Sequence, residues 1–350
     1  MKATLLRCAP LLVFSAFVFG QSPNQPQRIP IKNLPLSAST SDLKDANSPP
    51  DYSGEPGVIL HLDRVYQMEA DGTGWRLVTM SVRLQTEAAV KQLGVLTIPY
   101  AANSENVEIV YARVRRPDGT VAETPVSGAL EQSDPVTQAA PFYSDLKQKQ
   151  LPIRSLSVGD TLEWQAKVVR TKAEAPGEVW GQDTFSDDSV VLSASIELRV
   201  PKDVAVNVWS PTLKPAETVA NGYKVFRWEN SQLKPTVGKE AEAQKEAKSK
   251  LLWTPEQELE ATQGKLPTIA WTTFKSWGEV GAWYRGVMKD RSTPDADIKS
   301  KVAELTAGKT SEEEKVRAVY GYVAEQIRYI GVAFGVGRYQ PHRAEDVMQN

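Results

Sequence analysis

The residues able to act as nucleophile, general base or metal ligand are few, and their positions close several reaction classes. The 350-residue sequence holds one cysteine and two histidines. Cys8 lies ahead of an apolar run from Leu11 through Phe19, with Lys2 and Arg7 before that run. Basic residues, an apolar stretch and small Gly20, in that order, form the pattern of an export signal, with Val18 and Gly20 at the −3 and −1 positions of a cut before Gln21. A buried first helix conflicts with Pro10 and with the abrupt change to QSPNQPQ. The run is shorter than the ~20 apolar residues a membrane-spanning helix needs. A lipoprotein signal would place the apolar stretch ahead of the cysteine, and here it follows. The expectation is a signal peptide over residues 1–20 and delivery to the periplasm or the cell exterior. Loss of Cys8 with the signal leaves no thiol for a disulfide, a nucleophile or a thiolate metal site.

His61 and His342 stand in widely separated segments, so zinc finds no closely spaced imidazoles. No Gly-x-Ser-x-Gly elbow sets a serine on a strained turn. His61, between Leu60 and Leu62 on an expected strand, is read as pointing outward rather than serving a distant serine. His342 is read as a surface histidine. No cofactor is expected. The formal charge of −2 becomes −4 once Lys2 and Arg7 leave, which gives no attraction toward phosphate backbones, so nucleic acid is not an expected partner. After the signal, no stretch is apolar enough to span a membrane.

These residues must be positioned by the elements around them. Residues 21–53 carry Pro23, Pro26, Pro30, Pro35, Pro49 and Pro50 among Ser, Asn and Asp, the composition of a disordered tether. From residue 54 to 236 the pattern has period two. Val78, Met80, Val82 and Leu84 alternate with polar residues, as do Leu162, Trp164, Ala166 and Val168, and Val190, Leu192, Ala194, Ile196, Leu198 and Val200. Turns at Asp71-Gly72, Pro117-Asp118-Gly119, Gly159-Asp160 and Asn221-Gly222 separate the runs, which predicts an antiparallel sandwich-like β-domain. Ser127 to Gln150 lacks either period and is read as a long surface connection. Trp164 and Trp228 share the phase of their apolar neighbours, as core residues do. Trp180, in PGEVWGQD, has no such phase and is the tryptophan singled out as a candidate for ligand contact, against the alternative that it packs.

Residues 237–250, with KEAEAQKEAKSK, form a charged linker without an apolar face. The period is helical further on, within residues 251–350. Ser276 and Glu279 form a capping-box pair ahead of Val280, Trp283, Tyr284 and Val287. Thr293 and Pro294 open a second helix that carries Ile298, Val302 and Leu305 and stops at Gly308. Ser311 and Glu314 cap a third, with Val316, Val319, Tyr320, Val323 and Ile327 on one side. The fold class is therefore α+β, a β-rich domain followed by an incomplete helical part.

The segment VRAVYGYVAEQIRYIG, then GVGRYQPHRAEDVMQN, resembles the start of a bacterial transglutaminase-like domain of the papain-like thiol group. The upstream stretches ARVRRPDGTV and LPIRSLSVGDTLEWQAKVV resemble the domain of unknown function that commonly precedes it in exported bacterial proteins. The resemblance implies a Gly-Asp-Cys nucleophile turn shortly after the position of Asn350, then a His and an Asp, none of which these residues contain. It places Tyr339 and Gln340 near the mouth of that site, against the alternative that they pack a turn. Two functional classes remain. The chain is the front portion of an exported thiol acyl transferase or peptidase acting on protein or peptide substrates, or it is a non-catalytic binding or scaffolding module of the cell envelope.

Overall fold

The computed structural model describes residues 52–139, 144–186, 189–233, 268–327, 339 and 341–349. The expected signal peptide, most of the tether, the charged linker and Gln340 lie outside the described residues.

Each alternating run becomes a strand of one broad sheet. β1 (Gly57–Met68), β2 (Gly74–Leu84), β4 (Glu105–Arg115), β5 (Val121–Glu123), β8 (Thr161–Arg170), β10 (Val191–Pro201), β12 (Ala216–Ala220) and β13 (Tyr223–Gln232) lie in the order β12-β13-β10-β1-β2-β8-β4-β5. Neighbours run antiparallel except β1 and β10, which run parallel with Leu62 opposite Ala194 and Tyr66 opposite Leu198. Period two buries one row of each strand. Met80, Val82 and Leu84 of β2, Leu162, Trp164 and Ala166 of β8, and Ile196, Leu198 and Val200 of β10 enter one continuous apolar cluster. The Asn221-Gly222 turn joins β12 to β13 with φ of 50° and 85°, the left-handed pair that matches strand twist in a two-residue hairpin.

Two small sheets complete the cluster. One has the order β3-β7-β6, from β3 (Val95–Ala101), β7 (Leu146–Pro152) and β6 (Leu130–Ser133). Thr86 caps a helix, α1 (Glu87–Leu93), that leads into β3 and buries Ala89 and Leu93. The expected connection over residues 127–150 thus contains two strands and a short helix, α2 (Pro135–Ala139). Their pattern is hidden because β6 is exposed throughout and β7 turns Gln148 inward, where its amide donates to Asp134 at 2.6 Å.

The other small sheet has the order β11-β14-β9, from β11 (Asn207–Trp209), β14 (Ile269–Thr272) and β9 (Trp180–Asp183). β14 lies in the part of the chain expected to be helical, yet Ile269 is fully buried and Trp271 is 3% exposed. Trp271 packs on Tyr66 of the large sheet with ring centroids 5.0 Å apart. A half-buried ion pair supports the same contact: Arg64 donates to Asp183 at 2.7 Å, and the Tyr66 hydroxyl donates to the other Asp183 oxygen at 2.9 Å.

Gly181 faces Trp271 across the β9–β14 ladder, and a Cβ there would stand 2.4 Å from the indole ring. Gly181→Ala will lower the unfolding free energy by about 1–3 kcal/mol, the usual effect of overpacking a tight core. Urea denaturation checks this, with Gly286→Ala in a helix, where nothing lies within 4 Å, as the substitution expected not to destabilise.

Four helices follow: α3 (Trp277–Met288), α4 (Ala296–Thr306), α5 (Glu312–Gln326) and α6 (Ala344–Gln349). Ser276 caps α3, and Ser311 and Glu314 make the full capping box of α5, as their spacing predicts. The second helix starts later than expected. Asp295 rather than Thr293 is its cap, accepting from the Ile298 amide at 2.8 Å, because an Asp two residues after Thr293 offers a stronger acceptor next to the first helical turn.

Candidate functional site

Two candidates of the sequence, Trp180 and Tyr339, come together. Trp180 opens β9, and its ring lies 5.6 Å from that of Tyr339 at an edge-on 70°. Trp283 of α3 sits 5.2 Å from Trp180 and 5.3 Å from Tyr339. Phe274, just after β14, is 5.5 Å from Trp180 and 6.0 Å from Trp283. The Trp283 indole N–H also donates to the Glu174 carbonyl at 3.3 Å. The four rings form a half-buried junction between the β-rich part, α3 and Tyr339, and contain no carboxylate, imidazole or thiol. Trp283 was legible as part of an apolar helix face, whereas nothing in the spacing paired it with Trp180.

A second cluster was not legible at all. His61 lies on the polar face of β1, its imidazole 43% exposed, and its Nε2 is 2.5 Å from an Asp63 carboxylate oxygen. The Ser195 hydroxyl, 132 residues away in sequence, donates to the other Asp63 oxygen. Parallel pairing of β1 with β10 sets Asp63 directly opposite Ser195. Activation of a serine needs the imidazole between hydroxyl and carboxylate. Here the carboxylate is in the middle, so Ser195 gives up its hydrogen bond to Asp63 and gains no base.

The hydrogen bond to Asp63 raises the His61 pKa above its usual value against the opposing effect of burial. Burial pushes the Asp63 carboxyl up, but the bonds from His61 and Ser195 outweigh it and hold the pKa below the ordinary range. The pair therefore stabilises the fold most between about pH 4, the unperturbed carboxylate value, and about pH 6.5, the unperturbed imidazole value. That contribution fades as pH rises through the raised His61 pKa, and it is lost in acid as Asp63 protonates. His61→Ala will cost no more than about 1 kcal/mol at pH 5.5, given the exposure of the ring, and less at pH 8.5. Denaturation curves of both proteins at the two pH values measure the difference. An equal loss at both would remove the charge from the explanation.

Beside Ser195 the sheet is irregular. Register shifts fall between Ile59 and His61 in β1 and between Val191 and Ala194 in β10. The bulge opens a cleft of about 440 Å³ lined by Ser193, Ser195, Arg227, Glu229, Asn230 and Ser231, among others. Bulges of this kind often lie next to sites because they interrupt pairing and re-aim side chains. Within the cleft wall, Arg227 donates to Glu229 at 2.9 Å and to Glu197 at 3.2 Å.

Most charged residues of the two recognisable stretches have structural partners. Arg113 and Arg115 donate to Glu163 at 2.6 and 2.8 Å, and Arg116 pairs with buried Asp160. Burial would raise the Glu163 carboxyl, yet the hydrogen bonds from Arg115 and Arg113 hold it low. Asp118 closes its turn on the Thr120 amide at 2.8 Å. Among the described residues, no group of three or more His, Cys, Asp or Glu could hold a metal ion, and no helix is long and apolar enough to cross a membrane.

Residues 70–237 match the domain of unknown function DUF3857. No curated protein matches the chain. Among solved structures, a "putative protease" from Parabacteroides distasonis superposes with a TM-score of 0.63 at 18% identity, over 84% of this chain and 55% of that one. The chain thus spans about half the length of that protein, and the likeness is one of fold. An M1 zinc metallopeptidase from Deinococcus radiodurans matches with a TM-score of 0.30 at 13% identity, over 50% of this chain and 39% of that one, too little to carry an argument. Across residues 70–237, a little under half of its length, the chain is therefore similar to the DUF3857 family.

Proposed function

We propose that this chain is exported and forms the substrate-presenting, non-catalytic front portion of a transglutaminase-like thiol acyl transferase or peptidase acting on protein amides. The observation that carries this reading is the aromatic junction. Trp180 and Phe274 of the β-rich part hold Trp283 of α3, and Trp180 and Trp283 in turn hold Tyr339 of the segment that resembles the start of a transglutaminase-like domain. A β-domain so attached fixes its own surface relative to any site that forms near Tyr339. The fold likeness to a longer protein described as a putative protease supports the same reading. The bulge cleft favours a second one, a cell-envelope binding module that uses its polar face and needs no catalysis.

Two measurements test the proposal. Residues 21–350, incubated with a glutamine-containing protein and a labelled amine, and separately with a peptide pool, will show no turnover, because no activated nucleophile is assembled among the described residues. Turnover that survives repurification and resists a thiol alkylator would overturn the non-catalytic part of the reading. N-terminal sequencing of the protein recovered from the periplasm or medium will begin at Gln21, and retention of Met1 in a cytoplasmic fraction would refute export.

A further inference from the structure

We infer that the free end of β13 takes an added strand: an extended peptide pairs with the backbone of Glu229 and Ser231 and alternates uncharged polar with small apolar side chains. This deepens the substrate-presenting reading, since it says where and how a protein segment would be held.

The edge is read from register. β12 pairs with β13 only from Tyr223 to Arg227, ending where Ala216 faces Arg227. β13 continues to Gln232, pairing with β10 on its other side through Trp228, Asn230 and Gln232. Among the described residues, no strand lies beside β13 beyond Arg227. In an antiparallel ladder the N–H and C=O of successive residues point to alternate sides. The closing pair of the hairpin, Ala220 with Tyr223, directs Tyr223, Val225 and Arg227 toward β12. Glu229 and Ser231 follow in the same phase, so their N–H and C=O groups face outward. Exposed edges are usually blunted by charge or proline. β4 shows such a device, where the Lys149 ammonium donates to the Val107 carbonyl at 3.0 Å. Here the charge of Glu229 is engaged by Arg227, and the following Asn230-Ser231-Gln232 has neither charge nor proline.

A depression lies on each face at this end of β13. The polar cleft of about 440 Å³ includes Asn230 and Ser231 in its lining. The second, a notch of about 10 Å³, exposes mainly apolar surface of Leu62, Phe185, Val191 and Ala194, with Arg64 and Ser186 also in its wall beside the end of β13. An added strand sends successive side chains to opposite faces, so one row would lie beside Glu229 and Ser231 on the face of the polar cleft and the other beside Asn230 and Gln232 at the rim of the notch. Arg227 and Glu229 satisfy each other in the cleft, which leaves the hydroxyl of Ser231, on the neighbouring strand, to bond an uncharged polar side chain. The notch has room for about one methyl group.

The test uses residues 21–350 with a fluorescent octapeptide of alternating Thr and Ala, followed by anisotropy and by amide exchange. Binding will slow exchange at Glu229 and Ser231 and leave the β5 edge unchanged. The same peptide with alternate N-methylated residues, which cannot donate from one edge, will bind at least tenfold more weakly. Ser231→Pro removes an outward N–H without touching the β10 ladder, a placement that edge strands tolerate, and will weaken binding by a similar factor while the unfolding transition is retained. Equal affinity for the N-methylated peptide, or Glu229 and Ser231 amides already protected in the free protein, would overturn the inference. So would unaltered binding to Ser231→Pro. Because binding is read without turnover, an inactive protein that does not bind the peptide loses this inference alone, and an active one that binds it loses only the non-catalytic reading.

Discussion

A fragment of residues 54–236 will not show a cooperative unfolding transition, whereas one of residues 54–275 will. The shorter fragment contains the whole period-two pattern and nearly all of the DUF3857 match, so sequence alone makes it the natural domain. What it lacks is β14. That strand bridges β9 and β11, with Trp271 opposite Gly181 and Val208. Ile269, Trp271 and Phe274 are all under 9% exposed. Burying each such side chain is worth about 1.5–3 kcal/mol, so their loss removes on the order of 5 kcal/mol or more. Whole domains have about 5–15 kcal/mol of stability in total. The deficit therefore falls within the range of the entire margin. It also uncovers Tyr66 and the Arg64–Asp183 pair, which then meet water in place of an indole. Circular dichroism during urea titration, with a dye for exposed apolar surface, separates the two fragments. Equally sharp transitions in both would show that β14 is dispensable.

The other boundary makes the same point. The match begins at residue 70, just after β1, although β1 lies between β10 and β2 near the middle of the large sheet. Alternation made β2, β8 and β10 legible because each buries one apolar row against a core, and a two-fold period records that directly. It did not record neighbours. A strand buried on one side reads the same whether its partner is parallel or antiparallel, so the β1–β10 pairing, and with it the meeting of Asp63 and Ser195, was invisible. β7 was missed because a hydrogen bond to Asp134 lets Gln148 occupy an inward position. β14 was missed because four residues, Ile269–Thr272, are too few to establish a period. For the site, residue types at Trp180 and Tyr339 drew notice, but contact between aromatic rings leaves no trace in spacing across different elements.

Amides of α5 will exchange about a thousandfold or more faster than those of β10, with α3 between them. In β10, Ile196, Leu198 and Val200 are fully buried, and opening them requires loss of the sheet. In α5, by contrast, Val316, Tyr320 and Val323 lie on one side and are 61%, 73% and 49% exposed. The capping box at Ser311 and Glu314 satisfies the first amides but contributes only about 1 kcal/mol, far less than burial of an apolar face. Amphipathic helices draw most of their stability from such burial, so α5 opens at little cost. Each factor of ten in exchange corresponds to 1.4 kcal/mol of opening free energy, and a gap of about 4 kcal/mol gives the thousandfold difference. What α3 has and α5 lacks is an anchor in the β-rich part, the insertion of Trp283 among Trp180, Phe274 and Tyr339. Trp283→Ala will therefore bring α3 to the rate of α5 while leaving β10 unchanged. Slow exchange throughout α5 would mean that its apolar face is covered, and unchanged exchange in α3 after Trp283→Ala would mean that the junction does not hold the helix to the sheet.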